Sequence, residues 1–330
     1  ESLDVKGIIF DHPGDAYEWH IITWGEKHIS LPLPIIVRSN DGSWHTFLSS
    51  AFHKSGDGVV DGLYIAQEGD YAGKIVEKNA SGDEVRPIDL SITKNVLAIF
   101  ISCILLCVIV LSVSRWSKRN PNKAPKGFIG VMEMFIMDIN DNVVKANIGK
   151  GYEKFSPYLL TAFFFIFLNN LMGLIPIFPG GANVTGNIAV TLSLALCTFL
   201  ITNIFGNKEY WKEIFWPDVP GFVKPIMIPI ELIGMITKPF ALMIRLFANI
   251  MAGHSIILSL ICIIFITSKI GLVINGSMTL VSVLFTLFMN FLELLVAYIQ
   301  AYVFTILSAV FIGLSTAEHH KKTDVVKVKK

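Results

Sequence analysis

Apolar residues in this chain first alternate with polar ones and then run together. Up to about residue 90 the pattern is short and alternating. Ile29 to Val37 and Trp44 to Phe47 read as strands around the turn signal Asn40-Asp41-Gly42, and Leu63 to Ala66 with Lys74 to Val76 read as a further pair. Residues 1–90 are therefore expected to hold a small β-rich subdomain, and residues 91–330 a different kind of structure. From Asn95 to Ser114 no residue is charged. About 20 residues rising about 1.5 Å each cover about 30 Å, the thickness of a bilayer's hydrocarbon core, so 95–114 is predicted to be a membrane span.

The next uncharged run, Phe155 to Asn207, is too long for one crossing and carries Pro176, Pro179, Gly180, Gly181 and Asn183 at its centre. It is predicted to be a hairpin of spans at 158–178 and 187–206. Residues 226–268, broken by Glu231, Lys238 and Arg245, and residues 277–316, broken only by Glu293, form two further apolar segments. A helix of about 40 residues is about 60 Å long, so each must tilt, kink or project, with Pro229 and Pro239 available for a kink. Gly127 to Lys154 mixes charged and apolar residues, and predicts an amphipathic helix over about 127–150 lying in the interface without spanning. The fold class expected is an all-α polytopic membrane protein, with the β-rich region outside the bilayer.

Composition sharpens this picture. Of 330 residues 53% are hydrophobic and only 16% charged, where a soluble globule carries about 25% charged. Residues 1–90 hold 7 Lys+Arg against 15 Asp+Glu, and the remainder 20 against 11, so a net −8 is followed by a net +9. The basic residues cluster between spans: 8 in 115–156, 3 in 207–225 and 5 in 316–330, against none in 179–186 and one in 268–276. By the positive-inside rule the first three segments and the C-terminus are cytoplasmic, and the acidic N-terminal region lies outside. The chain begins at Glu1 rather than Met, so a removed leader is expected, in keeping with that orientation.

The same features exclude other classes. The overall net charge of +1 and the scatter of basic residues between apolar runs leave no nucleic-acid surface. Cys103, Cys107, Cys197 and Cys262 lie inside uncharged stretches, where a thiol behaves as a small hydrophobe, so neither a disulfide framework nor a redox or metal role is expected. His12, His20, His28, His45 and His53 lack ligand spacing and read as surface or structural histidines. No Gly-rich phosphate loop is present, so no nucleotide site and no cofactor are expected in this chain.

Charges inside the apolar segments carry the functional reading. A guanidinium in the run around Arg245 costs at least about 2.5 kcal/mol near the bilayer centre. On a helical wheel Lys238, Glu231, Asn249, Gly234, Ala252 and Ala241 fall within about 40° of Arg245, giving one polar, small face. His254, which begins a polar cluster with Ser255 and, one turn on, Ser259, points about 180° away. On the last segment Glu293, Ala297, Gln300, Phe304, Ser308, Phe311 and Ser315 fall within about 80° of one another. An antiparallel hairpin turning near residue 272 pairs positions whose numbers sum to about 545, which sets Arg245 level with Gln300 and His254 within a turn of Glu293. This predicts a permanent cation facing one neighbour and, at another depth, a titratable His/Glu pair able to pass protons. Lys238 has the alternative of snorkelling to the interface, with Glu231 as its partner. For Asn249 and Gln300 the alternative is plain interhelical hydrogen bonding.

The ordered set Lys238-Pro239, Arg245-Leu246-Phe247-Ala248-Asn249, Ala252-Gly253-His254, Glu293, Gln300-Ala301 and Phe304 resembles subunit a of F-type ATP synthases. The hairpin residues Asn169 to Pro176 and the run Val190 to Ser193 extend the resemblance from about Asp89 to His320. It implies a bacterial inner (plasma) membrane subunit with a periplasmic N-terminal region. Its partners would be the c-ring proteolipid subunits, the peripheral stalk b subunits and the rest of the complex. Arg245 would face the c-ring carboxylate and block a leak between two half-channels. His254, Glu293, Gln300, Asn249, Glu231, Lys238, Asn187 and Ser255 would line the proton path. Some members carry the acid at the position of His254 and the histidine at that of Glu293, an exchange that preserves the pair. Asn187 stands where an acidic residue can occur, and the first 90 residues have no counterpart in the shorter members.

Two other readings compete. A stand-alone secondary transporter would bind an anion at Arg245, but it would normally show internal repeats and broken midplane helices, and no repeat is present. A receptor or adhesion module anchored by helices leaves Arg245 unexplained.

Overall fold

The computed structural model describes residues 14–24, 27–69, 71–79, 82–175, 181–217, 220, 222–267 and 272–317. Pro176, Pro179 and Gly180 of the expected outer turn, together with Lys269, His12 and the basic C-terminal tail, lie outside the described residues. The chain divides into two compact units, Glu1–Ile104 with Met172–Val184, and Leu105–Leu171 with Thr185–Lys330.

The first unit holds small antiparallel sheets. Strand β1 (Glu18–Trp24) pairs with β2 (Lys27–Pro32), β3 (Pro34–Arg38) lies between β4 (Trp44–Leu48) and β8 (Ile88–Asp89), and β6 (Ile75–Lys78) lies between β5 (Leu63–Ile65) and β7 (Glu84–Val85). The stretch Ile29 to Val37, expected as one strand, is two strands in different sheets. Pro32 and Pro34 have no N–H to give to a ladder, and between them Leu33 leaves the sheet. Its N–H donates to Ser49 Oγ at 3.1 Å and its carbonyl accepts from Ser49 N at 2.9 Å. The Asn40-Asp41-Gly42 turn is formed, with Gly42 at φ +90° and Asp41 Oδ1 accepting from Ser43 N at 2.8 Å. Alternation along β3 sends Ile35 and Val37 into a core with Tyr17, Leu63, Ile75 and Phe52, the last from helix α1 (Ser50–Lys54). Tyr17 Oη donates to Asp89 Oδ2 at 2.5 Å and accepts from Ile75 N at 3.3 Å, tying the first strands to the last.

Helix α2 (Lys94–Arg119) follows directly, its first amides donating to Ala16 O and Asp15 Oδ1. Phe100, Ile104, Val108 and Leu111 are exposed on it, the surface of a helix meant for lipid. The predicted amphipathic helix is present as α3 (Phe128–Asp138), continued by a π-helical stretch Ile139–Lys145 and a last turn, α4 (Ala146–Ile148). The wider π turn puts Ile139, Val143 and Val144 together on the buried side.

Then come α5 (Ser156–Leu174), α6 (Ile188–Ile204), α7 (Lys208–Phe215), α8 (Lys224–Thr267) and α9 (Leu272–Thr316). Helices α2, α5, α8 and α9 are long and apolar enough to cross a membrane. The pair α6 and α7, bent by 102°, adds a fifth candidate. The chain is thus a polytopic helical membrane protein with a small N-terminal β region. Helix α8 runs unbroken through both Pro229 and Pro239, so the kink that they made available does not end it.

The core of the second unit is packed by large side chains such as Leu159, Phe163, Leu246 and Phe304, and small residues and hydroxyls bring the helices together between them. Ala297, Ala301, Ser308, Ala309 and Ser315 of α9 are buried. Tyr158 Oη lies 2.8 Å from Thr198 Oγ1, which lies 3.3 Å from Ser308 Oγ, joining α5, α6 and α9. At Gly313 the backbone of α9 approaches the Asn147 carbonyl so closely that a Cβ would overlap it. Asn207, between α6 and α7, donates its backbone N–H to Ser315 O at 2.9 Å and its side-chain amide to Thr316 O at 2.7 Å, capping the end of α9.

Candidate ion-translocation site

The two faces expected of α8 are both present. Leu242, Met243, Leu246 and Ile250 are buried, whereas Arg245, Lys238, Ala241, Ala248, Asn249 and Ala252 are exposed. Among the described residues no carboxylate lies within ion-pair distance of Arg245. A guanidinium that cannot lose its proton thus stands on an exposed, small-residue stripe of an apolar helix. Such a face is shaped for a neighbour that brings its own negative charge.

Helix α8 also meets α9 through polar groups, one of them from the edge of this stripe and one from the side of α8 away from Arg245. Asn249 Nδ2 donates to Gln300 Oε1 at 2.7 Å, and Gln300 is buried. Further along, His254 Nδ1 lies 3.6 Å from Glu293 Oε1, an ion-pair distance too long for a hydrogen bond. Glu293 is only 5% exposed, and among the described residues neither carboxyl oxygen has a hydrogen-bond partner. A buried carboxyl without such a partner is costly to keep in its charged form. Gly253 makes room for it: a Cβ there would sit 2.9 Å from Glu293 Oε1.

The register differs from the one expected. Asn249 rather than Arg245 pairs with Gln300. The number sums of paired residues drift from 542 at Thr267 with Asn275, through 547 at His254 with Glu293, to 549 at Asn249 with Gln300. The pairing slips by seven from the turn to Gln300, so one offset taken from the turn does not describe these side-chain contacts.

The other predicted residues are not gathered at this cluster. Lys238 is exposed, with Nζ 5.8 Å from the Phe311 ring centroid. Glu231 is half-buried and within electrostatic reach of Tyr210. Ser255 accepts on its carbonyl from Ser259 Oγ at 2.7 Å, a bond within α8. Asn187 is the N-cap of α6, its Oδ1 accepting from Ala189 N at 3.0 Å. Among the described residues no group of three or more His, Cys, Asp or Glu side chains is placed to hold a metal ion.

Sequence reasoning missed a second polar contact beside Glu293. Asn170 Nδ2 donates to Ala297 O at 3.3 Å, one turn along α9, while its Oδ1 accepts from Thr185 Oγ1 at 2.7 Å. The adjacent Asn169 Oδ1 is buried, with no partner among the described residues. The signal was there, since Asn169-Asn170 stands in an otherwise apolar span, but its direction could not be read without the packing.

Comparison with known proteins agrees with the geometry. The family described as ATP synthase A chain matches residues 96–313, and a domain of unknown function (DUF8433) matches residues 8–93. "ATP synthase subunit a" of Chlorobium phaeobacteroides is 47% identical over 241 residues, covering 72% of this chain and 68% of that protein. "ATP synthase subunit a 2" of Chlorobaculum tepidum is 49% identical over 240 residues, 71% of this chain and 66% of the relative. The Myxococcus xanthus "ATP synthase subunit a" is 40% identical over 245 residues, 72% and 77% of the two chains. The matched stretch thus spans about two thirds to three quarters of each relative. A chain with these helices, this intramembrane cation and these relatives belongs to the bacterial F-type ATP synthase subunit a family.

Proposed function

We propose that this chain is the stationary ion-translocating subunit of a bacterial F-type ATP synthase, carrying protons through two half-channels against a rotating ring of c subunits. The observation that carries this reading is Arg245, exposed and without an ion-pair partner among the described residues on the small-residue face of α8. A fixed cation favours the ionised form of a ring carboxylate as it passes, so the proton leaves there and the ring advances only by taking up a proton on the other side. The same charge stops protons from crossing directly between the half-channels. His254 and Glu293, with Asn249 and Gln300, line the outer access path. Glu231 and Lys238 stand toward the cytoplasmic exit. Ser255 and Asn187 complete the outer side.

The basic segments 115–156, 207–225 and 316–330 are cytoplasmic in this reading, the N-terminal region periplasmic, and the membrane the bacterial plasma membrane. Peripheral stalk b subunits hold the chain against the ring, and ATP chemistry resides in other subunits.

The test is ATP-driven acidification of inverted vesicles carrying the wild-type chain or Arg245→Ala, with assembly checked in both. Pumping lost in a fully assembled complex supports the reading. Unchanged pumping in an assembled Arg245→Ala complex overturns it.

A further inference from the structure

The sheet formed by β4, β3 and β8 is apolar on both faces, which a sheet with one side in water is not expected to be. One face sends Ile35 and Val37 into the core, fully buried. The register pairs Arg38 with both Trp44 and Ile88, Ile36 with Thr46 and Pro34 with Leu48, so these residues share the other face, and Leu90 follows Ile88 by one alternation. On that face Trp44 is 56% exposed, Leu48 50%, Ile88 59% and Leu90 60%.

Two further observations say what covers it. The first is attachment. Leu90 N donates to Ile36 O, Ile92 N to Pro34 O, Lys94 N to Ala16 O and Asn95 N to Asp15 Oδ1, so the chain stays bonded to the β region until α2 has begun. Four residues separate Leu90 from Lys94, at most about 14 Å of chain. The patch therefore lies beside the point where an apolar, lipid-exposed helix starts, within the same compact unit. The second is charge. Residues 1–90 carry 15 Asp+Glu against 7 Lys+Arg. Among the described residues of β3, β4 and β8 this face nonetheless presents no acid, because Asp89 turns inward to Tyr17, and its charge is Arg38, whose guanidinium lies 5.9 Å from the Trp44 ring centroid. A headgroup layer rich in phosphate repels an acidic domain everywhere except on such a face. Tryptophan beside arginine is the pair that suits the boundary between acyl chains and phosphates.

We propose that this sheet face rests on the bilayer surface from which α2 enters, with Trp44, Leu48, Ile88 and Leu90 in the interface and Arg38 on lipid phosphate. The β region is then a foot that fixes the height and tilt of the first span.

The test places a nitroxide at Leu48→Cys, Ile88→Cys and, as a control on an exposed loop, Gln67→Cys, in a chain whose four native cysteines are alanine. The complete ATP synthase is reconstituted in phosphatidylcholine–phosphatidylglycerol vesicles and its pumping verified. Collision rates with oxygen, which concentrates in lipid, and with a water-soluble nickel chelate are then measured. The proposal expects a several-fold higher oxygen-to-nickel ratio at positions 48 and 88 than at 67. Nickel access equal to that at 67 means that the face is in water, and overturns it. Low access to both reagents means that a protein covers the face, and equally overturns it. Leu48 and Ile88 are already exposed, so their replacement leaves the core intact.

Discussion

Asn249 and Gln300 join the two long helices through one 2.7 Å hydrogen bond, midway between the exposed Arg245 and the buried His254–Glu293 pair. Interhelical polar contacts of this kind average about 0.6 kcal/mol and reach about 1.7. Asn249→Ala and Gln300→Ala should therefore be non-additive by about that amount in a double-mutant cycle on denaturation of the solubilised chain. Strict additivity would show that the bond does not couple α8 to α9.

Gly253 is the only residue type that leaves Glu293 where it is. In Gly253→Ala the new methyl would meet Glu293 Oε1 at 2.9 Å, and because that atom ends a flexible side chain, the carboxyl moves rather than the helices. Assembly and melting temperature should stay near wild type while proton pumping falls. Adding Glu293→Asp, one methylene shorter, should restore part of the pumping. A Gly253→Ala complex that pumps normally would show that the position of Glu293 is not critical.

Gly313→Ala has the opposite character, since the obstacle is the Asn147 backbone carbonyl and nothing flexible can yield. Alanine gains about 1 kcal/mol over glycine in a helix, but overpacking costs about 1–3 kcal/mol, so the sum is destabilising or at best neutral. Gly276→Ala, with nothing among the described residues within 4 Å of its Cβ position, should be neutral or stabilising. Thermal denaturation of the two variants in detergent compares them directly.

In the β region Tyr17 responds to alkaline pH. Burial, then its bond to Asp89, raises its pKa above the ordinary 10.0. A phenol raised in the fold contributes stability that is complete below pH 10 and is lost as pH rises above the unfolded value. Hydrogen exchange of the β6 amides in the intact chain should accelerate above about pH 10 by more than base catalysis alone explains. Tyr17→Phe should remove that extra dependence and cost about 1–3 kcal/mol at neutral pH, because Ile75 N–H and Asp89 lose a partner.

The sequence was readable where a pattern has only one physical meaning. Of the stripe Glu293, Ala297, Gln300, Phe304, Ser308, Phe311 and Ser315, taken from a 3.6-residue period, all but the half-buried Phe311 are buried on α9. The uncharged run after Asn95 is α2, and an interrupted amphipathic helix stands at Phe128. Reading failed where two meanings were open. Prolines on either side of Leu33 permitted either a bent strand or a break, and the Ser49 hydroxyl, 16 residues away, decided for the break. The level of Gln300 could not be fixed from the turn, because the offset of the side-chain contacts slips along the pair, which hydrophobic periodicity does not encode. Asn187, named from the resemblance for the outer path, is also a helix cap, a role that reading did not include. An Asn before an apolar helix carries that signal as well.

The capping of α9 by Asn207 has a mechanical meaning. A pair of rods about 65 Å long, joined at one end, swings easily when pushed from the side. Asn207 sits at the corner where α6 turns by 102° into α7, and it is bolted to the free tip of α9 at Ser315 and Thr316. The corner and the tip are thus tied at two points, by a backbone and a side-chain amide, and two bonds at one place resist rotation as well as separation. The end of α9 far from its turn with α8 is therefore a fixed support rather than a loose tip, and it cannot swing without carrying the α6–α7 corner with it.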